Sequence, residues 1–313
     1  MSTTLIKLNL LEKKNPHPRD ENITFEPVPH KYTIGGGPER VFLPSVYATI
    51  DNELGMMSHR KWQNVPYISV TTWLHSHFEH FDADAIITGM MASKKWPSSQ
   101  YYGKTREEIK MTWEKNRDEA ARLGTEMHET IECYYNGAIA LAVADNGAIA
   151  LDNGAIALNN GAIAYFMNYI KTHALTLVPY RTEWMVYDEE VRIAGSIDML
   201  YEDPSGDGSL MIYDWKRAKE IKKINGFEKY STTECINHLP DTNFWHYALQ
   251  LNIYKAIIER NYGKKVTTLM LVCLHPNNKN GDYILFRVPD LQTEICDLFE
   301  LRKKELLSIY KST

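Results

Sequence analysis

Cysteine is scarce in this chain: four among 313 residues, at positions 133, 235, 273 and 296, with no CxxC pair. That spacing offers no compact zinc site and no disulfide framework, so the thiols read as reduced core residues. Long apolar runs are missing as well. The most hydrophobic stretch, Thr268 to Leu274, is far shorter than the roughly 18 residues of a membrane span. The first twenty residues carry neither a secretory hydrophobic region nor an Arg-rich transit pattern. A soluble intracellular protein with no membrane partner is the expectation. Nor is there an excess of positive charge. Lys and Arg number 35 against 40 Asp and Glu, a net of −5, which argues against coating nucleic acid by bulk charge and leaves a local basic groove open. What is present is a globular composition: 44% hydrophobic and 24% charged residues exclude collagen, coiled coil and overall disorder. A length of 313 residues admits two domains or one large α/β domain.

One internal repeat stands out. Asn-Gly-Ala-Ile-Ala occurs four times, from Asn136, Asn146, Asn153 and Asn160. A glycine in every copy lowers helix stability by about 1 kcal/mol relative to alanine, and Asp145 and Asp152 are the only charged side chains, so nothing in the repeat can do chemistry. Residues 136–164 read as a low-complexity surface insertion, helical or turn-rich, in a single domain spanning 28–313 after an extension of 1–27.

Around the insertion the patterning is stronger. His30 to Ile34 followed by Gly35-Gly-Gly37 reads as a short strand and turn, and Ser69-Val-Thr-Thr-Trp-Leu opens a helix. A long helix is predicted over Thr105–Tyr135, with Thr105 and Glu108 in capping-box register. Phe166 to His173 is predicted helical, Arg181–Asp188 and Val191–Tyr201 are strand-like on either side of a turn at Glu189-Glu190, and Leu210–Lys216 completes a β-meander. Apolar positions three and four apart mark a helix over Asn243–Arg260; strands Thr267–Leu274 and Tyr283–Val288 and a final helix from Leu291 follow. This order predicts an α/β fold, a mixed sheet with helices packed on it.

Alternation along the strand from Val191 places Ala194, Ser196, Asp198 and Leu200 on one face beside Gly195. On the next strand Asp214 and Lys216 share a face about 6.6 Å apart, with Trp215 pointing away. If the strands are neighbours, two carboxylates and one ammonium converge on otherwise apolar strands, where unpaired charge costs several kcal/mol; a metal or a salt bridge is required. Taken singly, each residue has an ordinary reading: a turn aspartate, a surface Asp-x-Lys ladder pair, a helix histidine at 128 and a core tyrosine at 254.

Together, Gly195-Ser-Ile-Asp198, fifteen residues, then Asp214-Trp-Lys216 resembles the PD-(D/E)XK nuclease superfamily in its RecB-like exonuclease branch. Gly124-Thr-Glu-Met-His128 is similar to that branch's GTxxH motif, Glu183 stands where the branch carries a glutamate, and Gln250-Leu-Asn-Ile-Tyr254 is similar to its QxxxY motif. His30-Lys-Tyr with Ser69-Val-Thr resembles the N-terminal part of relatives of the mitochondrial genome maintenance exonuclease and of nucleases of large DNA viruses. The resemblance covers residues 28 to 305 apart from the repeat. The superfamily often has glutamate where this chain has Asp214, which keeps the carboxylate and shortens its reach. Some relatives carry a four-cysteine iron–sulfur cluster; these cysteine positions do not fit one, and none is expected.

The resemblance implies a restriction-endonuclease-like core with helical N-terminal segments over the active site. It also implies a Mg²⁺- or Mn²⁺-dependent deoxyribonuclease with one or two ions. His128, Asp198, Asp214 and the main-chain carbonyl of Trp215 would bind metal, and Lys216 would position water or offset phosphate charge. Gln250 and Tyr254, four apart on one helical face, would orient Lys216 or grip a phosphate, and Glu183 is either a supporting partner or a further ligand. The expected activity is exonucleolytic cleavage of DNA from single-stranded ends, in replication, recombination or repair. A structure-specific or flap endonuclease using the same site and a catalytically silent DNA-binding module are the rivals. A viral relative would act in the cytoplasm or nucleus of its host.

For the strand itself, KKWPSSQYYGKTR from Lys94 to Arg106 mixes cations with aromatics and has no acid. Lys94, Lys95 and Lys104 would track phosphates while Trp96, Tyr101 or Tyr102 stack on bases, at about 1–3 kcal/mol per base. The alternative is a solvated loop with its aromatics packed inward. A second basic stretch starts at Lys216 and includes Arg217 and Lys219, beside the expected metal site.

Overall fold

Six strands make the central sheet of the computed structural model, which describes residues 9–27, 31–35, 65–137, 141–143, 149–151 and 160–312. The helices are α1 (Leu10–Lys14), α2 (Val70–His75), α3 (Ala83–Ala92), α4 (Arg106–Tyr135), α5 (Asn160–His173), α6 (Asn243–Asn261) and α7 (Gln292–Ser312). The strands are β1 (Ile23–Glu26), β2 (Lys31–Ile34), β3 (Ile68–Ser69), β4 (Leu141–Val143), β5 (Ile149–Leu151), β6 (Val178–Asp188), β7 (Ile193–Glu202), β8 (Leu210–Lys216), β9 (Val266–Cys273) and β10 (Ile284–Arg287).

The meander is as expected, since β6, β7 and β8 pair antiparallel in chain order. The Asp188 carboxylate closes the first turn by accepting the main-chain N–H groups of Glu190 and Val191. β8 then pairs in parallel with β9, and the sheet ends on antiparallel β10. A parallel pair needs a long crossover, and α6 lies within it.

The edge of β7 matters most for function. One edge is occupied along its length by β6. The other is shared: β3 pairs with Ile193 and Ala194, whereas β8 pairs only with Met199 to Glu202. Residues 195–198 therefore lie between two partners, at a fork in the sheet.

Helices cover both faces. Val70, Trp73 and Leu74 of α2, the inner side of α6, and Leu298 and Phe299 of α7 pack with Ile193, Ile197, Leu200 and Ile212. On the other face Met127 and Ile131 of α4 and Phe166 and Tyr169 of α5 pack with Met199, Tyr201, Tyr213 and Trp215. The strict alternation expected along β7 fails after Asp198. Ile197 and Leu200, three apart, share one cluster, while Met199 and Tyr201 lie in the other, so Leu200 is not on the face of Ala194. The step in facing coincides with the fork, where the ladder on the β8 side begins.

Helix α4 has the predicted start: the Thr105 hydroxyl accepts the Glu108 N–H and the Glu108 carboxylate accepts the Thr105 N–H. Thirty residues make it about 45 Å long. Among the described residues of the repeat, Ile149 and Ala150 lie in β5, which pairs antiparallel with β4, whereas the last copy opens α5, where Ala162 and Ile163 are fully buried. The N-terminal segment is fastened to β6 through Asp20, which accepts from Arg181 and from the Trp184 indole, each at 2.8 Å. Among the described residues no helix is long and apolar enough to cross a membrane.

Candidate active site

His128 comes from α4, Glu183 from β6 and Asp198 from β7. One ligand atom from each lies within 4.8 Å of the others. The imidazole Nδ1 is 3.6 Å from Glu183 Oε1 and 3.5 Å from Asp198 Oδ2. Thr182 pairs with Met199 and Trp184 with Ile197, so Glu183 sits opposite Asp198 in the register. Its φ of +44° is a left-handed conformation that a glutamate adopts only under constraint, at a cost of about 1–3 kcal/mol. Ser196 donates to Glu183 Oε2 at 3.0 Å and the Trp215 N–H donates to Asp198 Oδ2 at 2.9 Å, so both carboxylates are held from the sheet.

Beside this cluster, at the end of β8, Lys216 Nζ lies 2.6 Å from Asp214 Oδ2. The ammonium also donates to Gln250 Oε1 at 3.4 Å, and Gln250 Nε2 donates to Tyr254 Oη at 3.4 Å. One turn of α6 therefore carries a relay of contacts to Lys216. Lys216 further lies 4.6 Å from the centre of the Tyr247 ring. Gly195 makes this closeness possible, because a Cβ there would lie 2.8 Å from both Cε1 and Oη of Tyr254.

Burial sets the electrostatics. For Asp198 burial comes first, and the carboxylates of Asp214 and Glu183 add to it, raising its pKa to about 7 against the opposing pull of His128 and Lys216. Burial alone would depress His128, but Asp198 and Glu183 outweigh it and hold the imidazole proton up to about 9. Burial likewise opposes the Lys216 charge, and Asp214 and Asp198 reverse that, so the ammonium keeps its proton more firmly than an ordinary lysine.

The donors fit a divalent cation. The charges of Asp214 and Glu183 raise the proton affinity of Asp198, as expected of a carboxylate that a cation would stabilise, and two carboxylates with an imidazole form a hard, mixed oxygen and nitrogen set. The ligand set expected from sequence is brought together only in part. His128 and Asp198 meet, Glu183 completes the trio, and Asp214 faces Lys216 outside the group that converges within 4.8 Å.

A family model of the PD-(D/E)XK nuclease superfamily matches residues 98–307, which is 210 of the 313 residues and contains every residue of this cluster. The chain belongs to the PD-(D/E)XK nuclease superfamily. No curated protein matches the sequence. Membership makes the chain a nuclease, with DNA as substrate and divalent metal ions as cofactors.

Two contributors to the nuclease site escaped the sequence reading. Tyr32 of β2 is buried, and burial together with the Glu183 charge pushes its phenol pKa up; its sequence signal was the short His30-Lys-Tyr motif, whose His30 lies outside the described residues. Alternation along β7 gives Ser196 a face but carries no sign of its hydrogen bond to Glu183.

The expected strand-binding segment lies at the far end of α4. Arg106 and His128 are 22 residues apart on that helix, about 33 Å. Lys94, Lys95 and Lys104 are exposed, and Tyr102 is 60% exposed with Trp96 edge-on at 6.0 Å. Tyr101 is already engaged: its hydroxyl accepts the Trp113 indole N–H at 2.9 Å. α3 and α4 are tied here by Lys110 and Asp84 at 2.6 Å. Lys219 is exposed, whereas Arg217 is half-buried, with burial lowering its pKa near Glu119 and Arg122 of α4.

Proposed function

We propose that the protein is a metal-dependent DNA exonuclease of the RecB-like branch, hydrolysing phosphodiester bonds from single-stranded ends in replication, recombination or repair. The observation that carries this reading is the meeting of His128, Glu183 and Asp198 beside the Asp214–Lys216 pair, at the fork on the edge of β7 shared by β3 and β8.

Mg²⁺ or Mn²⁺ held by His128, Glu183 and Asp198 would supply Lewis acidity toward the scissile phosphate and lower the pKa of nearby water. The residues do the rest. Ser196 and the Trp215 N–H orient the carboxylates, so the donor set is formed before substrate arrives. Asp214 acts first as the counter-ion that keeps Lys216 charged, and Gln250 fixes where the ammonium sits. Lys216 then faces the charge that develops on the phosphoryl oxygens as water attacks. Lys94, Lys95 and Lys104 with Tyr102 and Trp96 support a single strand that runs along α4 toward the site. The GTxxH and QxxxY segments support the RecB-like assignment, since His128 and Gln250 both take part in the cluster.

The test is digestion of end-labelled linear single-stranded DNA beside circular single-stranded DNA, with Mg²⁺ or Mn²⁺. Shortening of linear DNA alone is the expected result. Cutting of circles would replace the exonuclease reading with the endonuclease one.

A further inference from the structure

The segment that follows Lys216 carries a feature that the cleavage chemistry does not use. Between Lys216 and Lys229 there are six cationic residues against Glu220 and Glu228, and from the middle of this basic stretch two large apolar side chains stand in water: Ile224 is 80% exposed and Phe227 85%. Both border an open depression of about 590 Å³.

The backbone beneath them is well fixed. Asn225 makes four hydrogen bonds across the turn: its amide donates to the carbonyls of Lys229 and Asp241, and its oxygen accepts the N–H groups of Phe227 and Lys229. Glu228 is held at φ +51°, a strained conformation for glutamate. The segment is anchored to the start of α6, where Asn243 accepts the Lys222 N–H and donates to the Glu220 carbonyl and the Trp245 indole donates to the Lys223 carbonyl. A turn this constrained would bury Phe227 if burial were its purpose. Instead it presents the ring outward, which costs apolar hydration with no return inside the fold.

The anchor bounds where the segment lies. Asn243, which holds it, and Gln250, which touches Lys216, are seven residues apart on α6, about 10 Å along the axis. From anchor to ammonium that is about three base steps at the 3.4 Å spacing of stacked DNA.

We propose that Phe227, with Ile224 beside it, is a base-stacking knuckle that grips the single strand a few nucleotides from the cleavage site, while the surrounding lysines hold its phosphates. The inference rests on the nuclease reading above and adds the residues that would hold bases next to the chemistry. Phosphate-binding cations interleaved with an outward aromatic match single-stranded DNA, whose bases offer faces to stack on.

The test uses the full chain in EDTA, so that binding is read without cleavage. Affinity for fluorescein-labelled oligo(dT) is compared for wild type, Phe227→Ala, Phe227→Trp and Asn225→Ala, with the same backbone carrying abasic sites as a second probe. Phe227→Ala should weaken oligo(dT) binding about 5- to 150-fold, the equivalent of 1–3 kcal/mol of stacking. Phe227→Trp should restore it. Asn225→Ala should weaken binding although the ring is still present. On the abasic probe wild type and Phe227→Ala should bind alike. Oligo(dT) binding by Phe227→Ala within twofold of wild type, while wild type cleaves DNA with metal, would overturn the knuckle and leave the nuclease standing. A change in sedimentation with unchanged DNA affinity would likewise overturn it, in favour of a protein contact. A wild type that neither binds nor cleaves DNA would remove the nuclease reading and this inference with it.

Discussion

Replacing Gly195 with alanine should damage stability and activity together, through a single contact. The new Cβ would lie 2.8 Å from Cε1 and Oη of Tyr254 and 3.1 Å from Val70 Cγ2. Tyr254 is buried on α6 and cannot swing to solvent, so either the ring or the strand must shift. Overpacking of this kind costs about 1–3 kcal/mol. At about 2.1 cal/mol/K of unfolding entropy per residue, 313 residues give about 0.66 kcal/mol/K, so the melting temperature should fall by about 1.5–4.5 °C. The same shift moves Gln250, which bonds both Tyr254 and Lys216, and a displacement near 1 Å at the ammonium predicts a loss of about 10- to 100-fold in kcat. Calorimetry and single-turnover cleavage give the two numbers. In a Tyr254→Ala background the added cost of Gly195→Ala should fall to that of the 3.1 Å approach to Val70 Cγ2 alone, because the clashing ring is gone. An unchanged melting temperature and rate, or strict additivity in the cycle, would refute the close approach of β7 and α6 as the device that positions Lys216.

Lys216→Ala leaves the buried Asp214 carboxylate without its ammonium and should cost about 3–5 kcal/mol at neutral pH by denaturant unfolding; pairing it with Asp214→Asn should recover most of that, and equal costs in both backgrounds would contradict the ion pair. Both raised pKa values in the trio work against the metal-free protein as pH rises. The stability that proton binding gives His128 is complete below about 6.5 and is lost through about 9, and that of Asp198 is lost as pH rises through about 7. Mg²⁺ or Mn²⁺ should therefore bind more tightly and stabilise more as pH rises over that window, releasing about one proton or more per ion near pH 7; titration calorimetry giving the same enthalpy in buffers of different ionisation enthalpy would count against it. Gly161→Ala, a change that normally favours a helix by up to about 1 kcal/mol, should instead destabilise by about 1–3 kcal/mol, since its Cβ would meet Pro276 Cβ at 2.5 Å; a raised melting temperature would show that α5 is not seated there.

Local chemistry carried much of the fold into the sequence. Thr105 and Glu108 cap α4 as their spacing indicates, the period of α6 is plain, and the meander follows from its turn residues. Strand order could not be read the same way: β8 and β9 look alike whether parallel or antiparallel, and only the crossover through α6 decides. The facing step after Asp198 was hidden because alternation assumes a continuous ladder, which β7 lacks on the β8 side. The last NGAIA copy shows the converse limit, since a repeated pentapeptide gives no sign that one copy packs in the core. In the candidate site, the motif spacings singled out His128, Asp198, Asp214, Lys216 and Gln250, whose side chains the fold brings near one another. Alternation put Asp214 and Lys216 on one face, where they pair, but left Glu183 open between a supporting partner and a further ligand; its approach to His128 involves a left-handed backbone at residue 183 that no spacing signals.

The most direct test of the central claim is cleavage of linear single-stranded DNA by wild type, Asp198→Asn, Asp214→Ala and Lys216→Ala, each with Mg²⁺, Mn²⁺ or EDTA, with folding of every variant checked by circular dichroism. The account predicts metal-dependent cleavage by wild type alone, abolished by EDTA and by each substitution in folded protein. Full activity in EDTA, or in folded Asp198→Asn and Lys216→Ala, would place the chemistry elsewhere in the molecule.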